Sequence, residues 1–173
     1  LGLVGSEMCI RDRNDVEWYE MRNPNNRTRG TYLRENWEPI QDQVTTFSEY
    51  INVIPEIQMI HTSGHSNGHS IILLKQGKDT MIHMGDLMLS HVHRNPLWVP
   101  AVDDYPMKSI LAKEKWLRQA FENHYKFFFY HDQFFAVVEF DKEGKELVDY
   151  VLRSRPPLIP FTDEQDRKPD FLG

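Results

Sequence analysis

The chain has 173 residues, of which 40% are hydrophobic and 27% charged, which suits one folded domain and excludes a disordered or fibrous protein. Its formal net charge of -6 argues against nucleic-acid binding, because phosphate contacts require clustered Lys and Arg. The sequence has no membrane-spanning apolar run, no secretory signal and one cysteine, Cys9, so we expect a cytoplasmic protein with a small-molecule partner, no membrane partner and no internal disulfide.

The first thirteen residues, LGLVGSEMCIRDR, have neither an apolar period nor a helix cap. They resemble a translated sequencing-adapter peptide of the kind found at broken ends of genes assembled from environmental DNA. An ordinary N-terminal tail is the alternative. We leave residues 1–13 out of the fold prediction as a non-native segment and expect residues 14–173 to form part of a single domain.

Residues 14–55 are mostly polar, and their pattern predicts a helix at 15–21 and a short strand or loop at 46–54. The following apolar run, Ile57 to His61, predicts a strand. Next, residues 69–75 and 80–84 predict a β-hairpin, because the turn between them contains Gly77.

Between Tyr105 and His124, apolar residues recur at helical spacing, which predicts an amphipathic helix. Three strands are predicted after it, at 126–130, 134–140 and 146–152, and the tail from Arg155 is rich in proline and charge. The fold class is therefore mixed α and β. One long helix covers only one face of such a sheet, so we expect the other face to need a further layer.

Three polar sites follow predicted strands: the loop Thr62–Ser70, the pair Gly85-Asp86, and the pair His131-Asp132. The loop holds two glycines and two histidines within nine residues, which allows imidazoles to approach a metal and makes poor material for a core. A carboxylate such as Asp86 can bridge two cations. Taken singly, a histidine such as His131 is more often a hydrogen-bonded residue than a metal ligand, and an aspartate such as Asp86 is more often a turn cap than a metal bridge.

Together, T-x-G-H-x-x-G-H at 62–69, Gly85-Asp86 and His131-Asp132 resemble the later motifs of the metallo-β-lactamase superfamily. The separations of 21 residues from His65 to Asp86 and 45 from Asp86 to His131 are similar to those of the family. Residues 85–106 further resemble its lactonase-like branch, which includes quorum-quenching N-acyl homoserine lactone lactonases. The resemblance implies an α+β fold, the αββα sandwich, of which residues 14–173 would be the C-terminal part, with the first half missing.

By this resemblance, His65 would bind one metal, His131 a second, and Asp86 would bridge both and take part in catalysis. His69 would support the ligands without binding metal itself. The metals would be two divalent cations, with zinc expected, and their bridging hydroxide would attack the substrate carbonyl. A tyrosine expected in some lactonases three residues after Asp86 is replaced here by Leu89.

The family's H-x-H-x-D-H motif should precede His65, and no such string occurs in the sequence. His91-Val92-His93 is an H-x-H string that follows Asp86, where it could be either an exposed loop or, with Trp98, part of a substrate pocket. We therefore expect a fragment with an incomplete metal site and no activity of its own.

The function predicted for the intact protein is metal-dependent hydrolysis of a small-molecule ester or lactone, with acyl homoserine lactone as the first guess and a homodimer as one assembly. The alternatives are an organophosphate or thioester hydrolase of the same superfamily, and a non-catalytic binding protein whose metal site has decayed.

Overall fold

The computed structural model describes residues 12–154, so the predicted tail from Arg155 and residues 1–11 of the excluded segment lie outside it. The described chain starts with strand β1 (Asp12–Asn14), which leads directly into helix α1 (Asp15–Arg22). The Asn14 side chain caps this helix by accepting a hydrogen bond from the backbone N–H of Val16 at 3.1 Å. The helix predicted at 15–21 is therefore confirmed, and residues 12 and 13 of the excluded segment belong to β1.

Helix α2 (Arg34–Trp37) continues into a 3₁₀ turn at Glu38–Gln43. The segment predicted as one strand or loop at 46–54 forms two strands, β2 (Thr45–Phe47) and β3 (Tyr50–Ile54). Strand β2 pairs in parallel with β1, and β3 starts the main sheet.

The main sheet has seven strands that lie side by side in chain order. All neighbouring pairs are antiparallel except β6 and β7, which are parallel and joined by a crossover that contains helix α3 (Pro106–Glu122). The remaining strands are β4 (Ile57–His61), β5 (Ser70–Gln76), β6 (Asp79–His83), β7 (Lys126–Phe128), β8 (Phe135–Phe140) and β9 (Leu147–Leu152).

The predicted hairpin, the predicted helix and the three strands predicted after it are confirmed with small shifts of their ends. Gln76 pairs with Asp79, so the hairpin of β5 and β6 closes through two residues, and Gly77 there has a φ of +60°. This left-handed backbone explains why a glycine marks the turn.

The core lies between α3 and one face of the main sheet. Trp116, Leu117 and Ala120 of the helix are buried against strand residues that include Ile82 and Val138, both fully buried. Residues that alternate with the core positions are only half-buried on the opposite face, as is the case for Ile72, Leu74, Met81, Phe128 and Val137. The helix therefore buries one face of the sheet far more completely than the other. Within residues 12–154, no helix has the length and apolar character needed to cross a bilayer.

Candidate metal centre

The loop of residues 62–69 between β4 and β5, here called the histidine loop, holds His65 and His69. It reverses direction through two residues with left-handed backbone, Ser63 (φ 61°) and Gly64 (φ 111°). A Cβ atom on Gly64 would lie 2.7 Å from Oγ of Ser109 and 2.9 Å from its Cα. Glycine at this position therefore lets the first turn of α3 pack directly on the loop. The loop is also paired with the residues before α3, since Asp104 N donates to the carbonyl of His65 at 3.0 Å.

The three predicted ligands are brought together at one end of the main sheet. His65 Nε2 lies 3.1 Å from Oδ2 of Asp86, and His131 Nε2 lies 3.5 Å from Oδ1 of the same carboxylate. Asp86 follows Gly85, whose φ of +54° starts the 3₁₀ turn at Gly85–Leu87. Each imidazole thus faces a different oxygen of one carboxylate.

This donor set fits two divalent cations in type, because imidazole nitrogen and carboxylate oxygen are zinc ligands and a carboxylate can bridge. It falls short in number. Among residues 12–154, no group of three or more His, Cys, Asp or Glu side chains is arranged to hold an ion. One imidazole and a shared carboxylate for each cation leave a four-coordinate site incomplete.

His131 differs from its predicted setting. Strand β7 ends at Phe128, so His131 lies three residues beyond the strand, and 53% of its side-chain surface is exposed. His65 is better enclosed, with 27% exposed. The turn after β7, more than the strand, therefore places His131.

His65 is held through its other ring nitrogen. Nδ1 lies 2.9 Å from Oδ1 of Asp103, and this hydrogen bond, opposed by partial burial and assisted by the charge of Asp86, raises the pKa of His65. Asp103 also accepts a hydrogen bond from Ser109 at 2.5 Å. Sequence reasoning did not identify Asp103, although it lies in a segment that carries the family resemblance.

His69 packs beneath the site as a neutral side chain. Burial lowers its pKa to about 4, and Thr62 Oγ1 lies 2.8 Å from its Nδ1. Its ring meets that of His65 edge-on at 6.1 Å. A Cβ atom on Gly85 would approach His69 Nε2 to 2.6 Å, so the glycine before Asp86 makes room for this imidazole. His69 as a support for the ligands remains a prediction.

Sequence reasoning also missed Tyr130 and His83. The Tyr130 hydroxyl donates a hydrogen bond to Oδ1 of Asp86. The ring of His83, at the end of β6, stacks on that of Tyr130 with centroids 5.1 Å apart and planes 5° apart. Where the resemblance leads one to expect a tyrosine after Asp86, the chain has Leu89, and a phenol reaches Asp86 from the residue before His131 instead.

Glu17 of α1 anchors the histidine loop from the N-terminal side. Its carboxylate accepts hydrogen bonds from Ser66 Oγ at 2.6 Å, from Gly68 N at 3.2 Å and from the Tyr32 hydroxyl at 2.5 Å. Burial, together with the hydrogen bond to Glu17, raises the pKa of Tyr32. Nothing in the local sequence signals this contact, because Glu17 and Ser66 are 49 residues apart.

Of the predicted pocket residues, His91 lies next to the site and is tied to Asp132. Its ring Nδ1 is 2.6 Å and its backbone N 2.8 Å from Oδ2 of that carboxylate. Burial opposes ionisation of Asp132, but these hydrogen bonds and two from the backbone N–H groups of Phe134 and Phe135 hold its pKa at about 2. Asp132 therefore shapes the turn that carries His131.

The other two predicted pocket residues are not brought to the three ligands by any contact in the described chain. His93 Nδ1 lies 2.8 Å from Oγ of Ser90. Trp98 lines a cavity of about 890 Å³ beside α3, together with residues such as Leu111, Arg118 and Phe121. A separate cavity of about 420 Å³ is lined by His65, His69 and Asp86. The pocket role of His93 and Trp98 remains a prediction.

No protein-family model and no curated protein matches the chain. Among solved structures, a probable metal-dependent hydrolase from Staphylococcus aureus is 36% identical, with a TM-score of 0.81 over 84% of this chain and 52% of that one. The hydrolase AbOPH of the β-lactamase superfamily is 20% identical, with a TM-score of 0.65 over 88% of this chain and 55% of that one. AidC, a dizinc quorum-quenching lactonase solved with a homoserine product, is 15% identical, with a TM-score of 0.61 over 84% of this chain and 55% of that one.

The predicted fold class is confirmed by these matches. The described residues have the mixed α and β fold of metallo-β-lactamase-superfamily hydrolases, with solved structures of metal-dependent hydrolases and lactonases among those they resemble. The chain spans about half the length of each of these proteins, between 52% and 55%.

Proposed function

We propose that the chain is part of a metal-dependent hydrolase that cleaves an ester or a lactone, with acyl homoserine lactones as the first substrate class to test. The observation that carries this proposal is the placement of His65 Nε2 and His131 Nε2 on different oxygens of Asp86, at 3.1 and 3.5 Å. The 36% identity to a probable metal-dependent hydrolase supports the reaction type. The likeness in fold to lactonases motivates the choice of first substrate.

Two divalent cations, with zinc as the first candidate, would be held by His65 on one side, His131 on the other, and Asp86 between them. Such cations lower the pKa of water and polarise a carbonyl, which are the two requirements for ester hydrolysis at neutral pH. Asp103 would orient His65, and the turn shaped by Asp132 would carry His131. The neutral His69 would fill the space below Asp86 without adding positive charge.

The described residues by themselves offer too few ligands for tight binding. We therefore expect this chain to bind zinc weakly and to hydrolyse no lactone, because a complete structural zinc site of four ligands is needed to reach roughly 10 kcal/mol of binding free energy. Further ligands would come from additional polypeptide in an intact enzyme.

Zinc titration by calorimetry tests the site directly. The variant His65→Ala should lose the weak zinc binding. The control variant His124→Ala should keep it, because His124 is an exposed histidine whose Nδ1 lies 3.3 Å from Glu139 and which has no contact with Asp86 among the described residues. Both variants remove an imidazole, one at the proposed site and one outside it.

Equal zinc binding by His65→Ala and His124→Ala would contradict the proposed site. Tight binding of two zinc ions by the chain would instead contradict the ligand count. Hydrolysis of N-hexanoyl-homoserine lactone, followed by release of acid, is the accompanying activity assay, and we expect no rate above the buffer control for the isolated chain.

A further inference from the structure

Asp103 is a buried carboxylate that connects the histidine loop to the first turn of α3. We propose that Asp103 is a positioning residue that holds His65 in one ring orientation and in the tautomer whose Nε2 lone pair faces Asp86. The inference rests on the proposed function only in taking that lone pair as a ligand for a cation.

The contacts of Asp103 leave one arrangement of protons. Its side chain has 0% of its surface exposed, and Oδ1 lies 2.9 Å from Nδ1 of His65. The other oxygen, Oδ2, already accepts the hydroxyl proton of Ser109 at 2.5 Å. An ionised carboxylate can only accept, so Nδ1 of a neutral His65 must carry the proton and Nε2 must be the free acceptor.

The backbone around Asp103 has little freedom to move away from His65. Asp103 N donates to the carbonyl of Pro100 at 3.1 Å, and the next two residues, Asp104 and Tyr105, donate to the carbonyls of His65 and Gly64, each at 3.0 Å. Gly64 also packs directly on Ser109, so close packing holds the histidine loop against α3 in addition to these hydrogen bonds. The Asp103 carboxylate therefore has a fixed position relative to the His65 imidazole.

The consequence appears on the other side of the ring. Nε2 of His65 lies 3.1 Å from Oδ2 of Asp86, and in this tautomer both atoms are acceptors. Two acceptors at this separation repel each other unless a proton or a cation lies between them. With the proton of His65 held on Nδ1 by Asp103, Nε2 of His65 and Oδ2 of Asp86 together favour binding of a cation. Without Asp103, the ring can instead carry its proton on Nε2 and donate it to Asp86.

The tautomer of His65 can be read without any metal. Long-range ¹H–¹⁵N correlation spectra of the metal-free chain, recorded well above the titration of its imidazoles, distinguish a protonated Nδ1 from a protonated Nε2. The variant His65→Gln assigns the signal. We expect a protonated Nδ1 in the unmodified chain and a shift toward protonated Nε2 in Asp103→Asn, where an amide can donate to Nδ1.

Asp104→Asn is the matched control, because it removes the same charge one residue along the chain, and the Asp104 side chain pairs with Arg27 instead of His65. It should leave the His65 signal unchanged. Asp103→Ala provides a second variant if the amide remains bound through its oxygen, and the amide spectra of all variants report whether they are folded. A protonated Nε2 in the unmodified chain, or an unchanged signal in both Asp103 variants, would overturn the proposal.

Zinc titration of the same proteins separates this inference from the proposed function. Asp103→Asn should raise the apparent dissociation constant by about 10- to 100-fold, as is typical when the partner of a ligating histidine is removed, while Asp104→Asn should not. If the unmodified chain binds no zinc, the proposed function fails, whereas the tautomer result still decides the role of Asp103.

Discussion

Lys113 is a buried lysine that makes the free energy of unfolding depend on pH. It lies in α3 with 0% of its surface exposed, and its Nζ donates to the carbonyls of Asn95 at 2.8 Å and Trp98 at 2.7 Å. Burial lowers the pKa of Lys113 to about 8, and the charge of Asp103 opposes this only partly. Burial and then the charge of Lys113 lower the pKa of His93 in turn.

In the unfolded chain the lysine returns to its ordinary pKa of 10.5. Between pH 8 and 10.5 Lys113 therefore binds more protons in the unfolded chain than in the folded one, and its contribution to the free energy of unfolding rises with pH in this window. At neutral pH the charged Lys113 costs on the order of 3 kcal/mol relative to an unshifted lysine. Raising the pH from about 7 to about 9.5 should recover about 2 kcal/mol of it.

Urea unfolding followed by tryptophan fluorescence, at pH values across this window, measures the effect. Lys113→Met should flatten the rise in unfolding free energy, since it removes the titrating group and keeps an unbranched side chain of similar length. Lys115→Met, a change at an exposed lysine two residues along α3, should keep the rise. The same pH dependence in Lys113→Met as in the unmodified chain would show that Lys113 is not the group responsible.

Two further substitutions test the packing that positions the site, both by urea unfolding. Gly68→Ala should lower the free energy of unfolding by about 1–3 kcal/mol, because the new Cβ would lie 2.3 Å from the backbone N of Glu17. Gly30→Ala is the control and should lower it far less, since a Cβ there would have no atom within 4 Å. Equal losses in the two variants would contradict the contact between Gly68 and Glu17. Phe140→Ala should lower the free energy of unfolding by about 3–5 kcal/mol, since Phe140 is 1% exposed. Val148→Ala, at a position that is 56% exposed, should leave it nearly unchanged. A small effect at Phe140 would mean that the core is not packed as described.

The predicted elements that were confirmed are those whose signal is local. The glycine at 77 marks a two-residue hairpin turn by its left-handed backbone, and the helical spacing of apolar residues before His124 marks α3. The polar region 14–55 was harder to predict, because its short elements are stabilised by contacts with distant residues such as the one between Glu17 and Ser66. Propensity alone is a weak guide to such segments.

The candidate site divides in the same way. The amino-acid sequence alone was sufficient to name His65, Asp86 and His131 as candidate ligands, since the three motifs resemble those of a known superfamily in their residues and spacing. It also shows that no H-x-H-x-D-H string occurs in the chain. Only the tertiary structure placed Asp103 on His65, across 38 residues, and Tyr130 on Asp86, across 44. Contacts between residues so far apart depend on how α3 and the strand ends pack. The hydrogen-bond partner of a carboxylate or a phenol is determined by its position in space, and the neighbouring sequence contains no pattern that predicts it.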